Sequence, residues 1–62
     1  MYKKYVQLRD AKGVTDYEVA KQTGIPQSTF SDWKKERSSP KLEKLLLLSK
    51  YFDVTIDYFI ED

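Results

Sequence analysis

Sixty-two residues with neither cysteine nor histidine leave room for one small domain and remove disulfides, cysteine metal sites and the commonest general base together. The net charge of +1 hides a division: all eleven Lys and Arg lie within residues 1–52 against six acids, while residues 53–62 carry Asp53, Asp57, Glu61 and Asp62 and no base. No apolar run approaches the roughly 20 residues that cross a membrane, and the N-terminus has no signal-peptide-like apolar region, so the cytoplasm is the expected compartment.

In chain order, Tyr5, Leu8 and Arg9 mark one face of a first helix over about residues 2–12, closed by Gly13. Thr15 followed three residues later by Glu18 predicts a capping box, in which each side chain satisfies the other's free backbone N–H, so a second helix should begin at Asp16. Val19 and Ala20 are its inward residues, Ala20 being small enough to let another helix approach. Gly24 supplies the left-handed conformation that ends a helix at low cost, Ile25 is an apolar plug, and Pro26 suits the first turn of a new helix.

The third helix is predicted over about residues 27–36. At about 100° per residue, Phe30 and Trp33 share one side and Ser28, Ser31, Asp32 and Lys35 the other, with Gln27 beside them at the N-terminus. Two short helices joined by a tight glycine turn are the outline of a helix-turn-helix, whose second helix presents a small polar face of the kind that enters a DNA groove. Ser38-Ser39-Pro40 forms a loop and helix start. Leu42, Leu45, Leu48, Ser49 and Phe52 then recur at three- and four-residue spacing, as the buried stripe of a fourth helix does. Asp53 occupies a turn, Val54 is a plug, and Thr55 caps a short fifth helix carrying Ile56, Phe59 and Ile60. The expected core joins Trp33 to Leu8, Val19, Ile25, Phe30, Leu45 and Leu48. No linker, repeat or low-complexity segment interrupts residues 1–62, which read as a single all-helical domain.

In this order and spacing, Leu8-Arg9, Lys12-Gly13-Val14-Thr15, Val19-Ala20, Gly24-Ile25, Ser28-Thr29-Phe30-Ser31, Trp33, Pro40, Leu42, Leu45, Leu48 and Val54 to Phe59 resemble the lambda-repressor-like DNA-binding domain of phage repressors, Cro proteins and their bacterial relatives. The resemblance covers essentially the whole chain. It implies a compact five-helix bundle that binds double-stranded DNA at a pseudo-palindromic operator as a homodimer and regulates transcription, here as a repressor of phage or prophage type.

Three positions depart from the family pattern. Asp16 stands where many members carry a phosphate-contacting glutamine, and a carboxylate there is repelled by DNA. Glu36 stands where a glycine often ends the recognition helix. Lys34 replaces a frequent glutamate partner of the helix-one arginine, so Arg9 must pair elsewhere, with Glu36 the nearest candidate in sequence.

For base readout the candidates are Gln27, which can donate and accept toward adenine, Ser28 and Ser31, and Asp32, which can accept from the cytosine amino group. For the phosphates they are Thr15, Thr29, Lys35, Arg37, Ser38 and Lys41, set at helix N-termini or in and after the recognition helix. Leu47, Tyr51 and Tyr58 remain apolar outside the predicted core stripe and are the candidate dimer contact, small enough that pairing is expected chiefly on the operator. No nucleophile with a base, no paired carboxylates on one helical face and no Gly-rich phosphate loop is present, so no catalysis, metal or other cofactor is expected. The competing function is a protein-interaction module of the same fold, such as an antitoxin or antirepressor partner. An apolar or acidic outward face on the third helix would favour it; the face is mostly neutral and polar.

Overall fold

A computed structural model of the chain describes residues 1–60; Glu61 and Asp62, half of the acidic tail, lie outside the described residues. The elements are α1 (Tyr2–Lys12), α2 (Asp16–Thr23), α3 (Gln27–Lys34), α4 (Leu42–Phe52) and α5 (Ile56–Ile60), with no strand among the described residues. None of these helices is long and apolar enough to cross a membrane.

Every helix contributes to one core. Tyr5 of α1, Val19 of α2, Phe30 and Trp33 of α3, Leu45 and Leu48 of α4 and Phe59 of α5 are buried, and Ile25 fills the α2–α3 turn from beneath. α2 packs on α3 and α4, and α5 closes against both α1 and α4. The aromatic centre is ordered: the Tyr5 and Phe30 rings stack 4.8 Å apart at 4°, and Trp33 meets Phe30 edge-on at 5.3 Å and 84°. These are two favourable geometries for ring quadrupoles, offset stack and edge-to-face.

Four helix ends turn through a left-handed residue. At Gly24, φ is 82° and its N–H returns to the Ala20 carbonyl at 2.9 Å. The other three ends make the wider 6→1 closure: Val14 N–H to Arg9 O at 3.2 Å, Arg37 N–H to Asp32 O at 2.9 Å, and Val54 N–H to Ser49 O at 3.0 Å. The last two carry a side chain at the left-handed position, Glu36 at φ 58° and Asp53 at φ 56°. This turn at Glu36 stops α3 at Lys34, two residues before the end expected from the wheel.

Two further expectations change, at Leu42 and at the capping box. Leu42 was placed in the buried stripe of α4 but is 63% exposed. It is the first residue of the helix, and helical side chains lean toward the N-terminus, which carries it past the edge of the core. Ile60, the last residue of α5, is likewise exposed. The capping box is half made: Glu18 N–H donates to Thr15 Oγ1 at 3.2 Å, but the Glu18 carboxylate does not return the contact, and its Oε2 is buried without a hydrogen-bond partner.

A left-handed backbone costs an L-residue roughly 1–2 kcal/mol, partly offset by the chain entropy a glycine would add to the unfolded state. Glu36→Gly should therefore raise stability by about 0.5–1 kcal/mol, seen as a few degrees in the melting temperature. Asp53→Gly should gain less, because a short carboxylate tolerates this conformation better. A Glu36→Gly protein that melts at or below the parent temperature would remove the strain argument.

Candidate nucleic-acid interface

The N-terminal turn of α3 stands on the core. Phe30 and Trp33, both nearly fully buried, fix the inward side of the helix, and this forces Gln27, Ser28 and Ser31 outward into solvent. An open cleft runs along this turn, lined also by Arg9 of α1, Asp16 of α2 and Lys34. Three of the four residues proposed to read bases thus share one cleft. Asp32 lies outside it, with its carboxylate 3.9 Å from Arg37 Nη1 in an exposed pair that is worth little in water.

Behind α3 a second cleft brings Thr29, Ser38 and Lys41 together, with Lys44 beside them and Trp33 at its floor. These are three of the six predicted phosphate residues. Thr15, Lys35 and Arg37 line neither cleft. Thr15 is engaged as the α2 cap, where its oxygen accepts and its hydroxyl proton stays free, while Lys35 and Arg37 are exposed on the turn that ends α3.

The electrostatics of the first cleft centre on Asp16. Its Oδ1 accepts from the Tyr5 hydroxyl at 2.5 Å and from Arg9 Nη1 at 3.0 Å, and Arg9 Nε donates to Asp10 at 3.1 Å. Arg9 therefore pairs with Asp16, and the expectation of Glu36 as its partner is corrected: Asp16 begins α2 directly beside α1, whereas Glu36 lies past the end of α3. The hydrogen bond that the guanidinium donates to Asp16 holds it more firmly protonated than usual. The Tyr5 hydroxyl is pushed well above the ordinary phenol range, first by burial and then by donating to Asp16. A carboxylate expected to repel DNA is thus paired with one cation, Arg9, and held in place by a second, uncharged donor, the Tyr5 hydroxyl.

The residues proposed for pairing are half-buried. Leu47, Tyr51 and Tyr58 all pack against the core, Lys12 Nζ lies 4.9 Å from the Tyr51 ring centroid and Lys4 Nζ 5.5 Å from that of Tyr58. The more exposed apolar residues of α4 are Leu42 and Leu46, the latter 41% exposed.

A helix that ends at Gly24, a plug at Ile25 and a polar-faced helix anchored by Phe30 and Trp33 together form a helix-turn-helix, and the family model of that description matches residues 7–59. The chain belongs to the helix-turn-helix family, of the Cro/C1 type. Among curated helix-turn-helix proteins it is 35% identical over 54 residues to the uncharacterized HTH-type transcriptional regulator YobD of Bacillus subtilis (strain 168), covering 87% of this chain and 48% of that protein. It is 37% identical over 54 residues to the HTH-type transcriptional activator BcrR of Enterococcus faecalis, covering 87% of this chain and 26% of that protein. The chain therefore spans about half of one relative and a quarter of the other. No solved structure matches it significantly.

The basic run of Lys34, Lys35, Arg37, Lys41 and Lys44 was legible in the sequence as cations that could meet phosphates, and Lys34 and Lys44 do line the clefts, whereas the joining of Arg9 and Asp16 in one cleft was missed. The partial signal was the missing glutamate at position 34, which demanded another acid for Arg9. Asp16 was read as a helix start and as a carboxylate repelled by DNA, but not as the partner of Arg9.

Linkage through Tyr5 has a definite sign. The folded state holds the phenol proton to higher pH than the unfolded chain, whose tyrosines ionise near 10, so this stabilisation is complete below about pH 10 and is lost as pH rises above it. Tyr5→Phe should cost about 1–2 kcal/mol at pH 7. The gap between the two proteins should then narrow by up to about 1.4 kcal/mol per pH unit above 10, as urea midpoints from pH 7 to 11.5 would read. A constant gap would show that Tyr5 ionises in the fold as freely as in the unfolded chain.

Proposed function

We propose that residues 1–62 act as a single DNA-binding domain of a transcriptional regulator that recognises a specific double-stranded sequence, with α3 entering the major groove. The observation that carries this reading is the cleft along the first turn of α3, where exposed Gln27, Ser28 and Ser31 stand together on a rigid aromatic base. Short hydrogen-bonding side chains on a fixed helix suit base edges, which demand a donor and acceptor pattern held in register. Thr29, Ser38 and Lys41 behind the helix, with Lys35 and Arg37 on its closing turn, supply the sequence-independent grip on phosphates. The regulator descriptions of both relatives support the same role.

In this reading the protein binds a pseudo-palindromic operator as a homodimer, in contact through Leu47, Tyr51 and Tyr58, and acts as a repressor where that operator overlaps a promoter. Two recognition helices then read half-sites about 34 Å apart, one turn of DNA. The small contact area makes pairing a property mainly of the DNA-bound state.

Selection of bound duplexes from random DNA tests this directly. The expected product is an inverted repeat with half-site centres about 10 base pairs apart. Gln27→Ala should change which bases are enriched, with about 1–3 kcal/mol lost at the contacted position. Lys41→Ala should weaken all sequences alike and flatten the dependence of log affinity on log salt by about one unit. Enrichment of no sequence at all, or equal loss of preference in both variants, would refute the assignment of α3 as the reading helix.

A further inference from the structure

We infer that, within the DNA-binding reading on which this rests, Asp16 withholds Arg9 from the nucleic-acid backbone, so that the Tyr5, Asp16 and Arg9 cluster is a brake on sequence-independent affinity. Arg9 and Asp16 line the same cleft as Gln27, Ser28, Ser31 and Lys34, so both face the surface that a duplex would meet. The guanidinium is committed on two sides, to Asp16 at 3.0 Å and to Asp10 at 3.1 Å, and lies 5.8 Å from the Tyr5 ring centroid.

What makes Asp16 an effective holder is the fixity of its own position. The buried Tyr5 ring is clamped against Phe30, and its hydroxyl pins Asp16 Oδ1 at 2.5 Å. The carboxylate also begins α2, where positive backbone amides favour it. A phosphate competing for Arg9 must displace an acceptor that is already placed and doubly satisfied. Arg9 shares its one positive charge between Asp16 and Asp10, so the cluster offers the duplex no net positive charge and a cation standing at the interface contributes no counterion release.

A phosphate contact carries no direct sequence information. Releasing Arg9 should therefore raise affinity for every duplex alike and leave the preference set by Gln27, Ser28 and Ser31 intact. One additional phosphate contact steepens the salt dependence by about 0.9 in log affinity per log salt.

The experiment compares the wild-type chain with Asp16→Asn, Arg9→Gln and the double variant. Fluorescence anisotropy is read on a random-sequence duplex and on a duplex selected by the wild type, between about 50 and 200 mM salt, a range over which one extra contact is worth roughly three- to fourfold. Asparagine keeps an oxygen for the Tyr5 hydroxyl, thermal melts verify folding, and Asp16→Ser provides a second neutral variant should asparagine perturb α2. The expected result is a salt slope steeper by about one unit for Asp16→Asn on both duplexes and a return to the wild-type slope in the double variant. A wild-type slope in folded Asp16→Asn overturns the inference. So does a steeper slope that persists in the double variant, since Asp16 would then act by its own charge and not through Arg9. Failure of the wild type to bind either duplex at the lowest salt overturns the DNA-binding reading itself.

Discussion

Tyr5 ties three helices together. Its ring stacks on Phe30 of α3, its hydroxyl donates to Asp16 at the start of α2, and its backbone belongs to α1. In a chain of 62 residues this economy matters, because a domain so small buries only about 60% of its unfolded surface and has few other places to fix one helix against the next. The rest of the arrangement depends on it. Phe30 sets the rotation of α3 and so determines that Gln27, Ser28 and Ser31 face outward, while Asp16 receives Arg9 and settles the charge of the neighbouring cleft.

Local rules made most of the fold legible. Gly13 and Gly24 end helices where left-handed backbone is needed, the Thr15 hydroxyl caps α2, and the spacing of Phe30 and Trp33 identifies the inward side of α3. Each of these is decided within one or two helical turns, the range over which backbone hydrogen bonds and helical period act. Leu42 escaped for the same reason: period alone assigns it to the stripe, but the core ends before the first residue of α4 does, and that boundary is tertiary. The candidate site was legible in part. The outward set on α3 follows from the wheel, whereas Asp16 with Arg9 and Tyr5 joins residues seven and eleven positions apart across two helices, which no periodicity encodes.

Glu36 and Asp53 sit at equivalent left-handed helix ends with different chemistry. The α4 end uses a short carboxylate that tolerates the conformation, and the α3 end uses a longer side chain that gains nothing from it. Strain of this kind persists only where the surroundings over-determine it. At α3 that surrounding is the pair of backbone hydrogen bonds from Glu36 to Trp33 and from Arg37 to Asp32, which hold the turn between the polar outward side of α3 and the basic loop beyond it. The strained residue thus lies where α3 passes from the polar turn to Arg37, Ser38 and Lys41.

The ion pair shifts the balance of charge around that surface. A glutamate at position 34, as the family resemblance leads one to expect, would have held Arg9 from α3 itself. Here the acid belongs to α2, and position 34 is a lysine, exposed and lining the cleft beside Gln27 and Ser31. Moving the acid leaves Arg9 neutralised, but it turns the α3 side of the cleft from an acidic residue to a basic one. The structural role of the pair is kept, since α1 is still tied to the helix-turn-helix, now at the first residue of α2. With Asp16 occupied by two donors and Lys34 free of the pair, the cleft presents neutral hydrogen-bonding groups flanked by one available cation. That distribution favours recognition by hydrogen-bond pattern over capture by bulk charge, in keeping with a chain whose net charge is only +1.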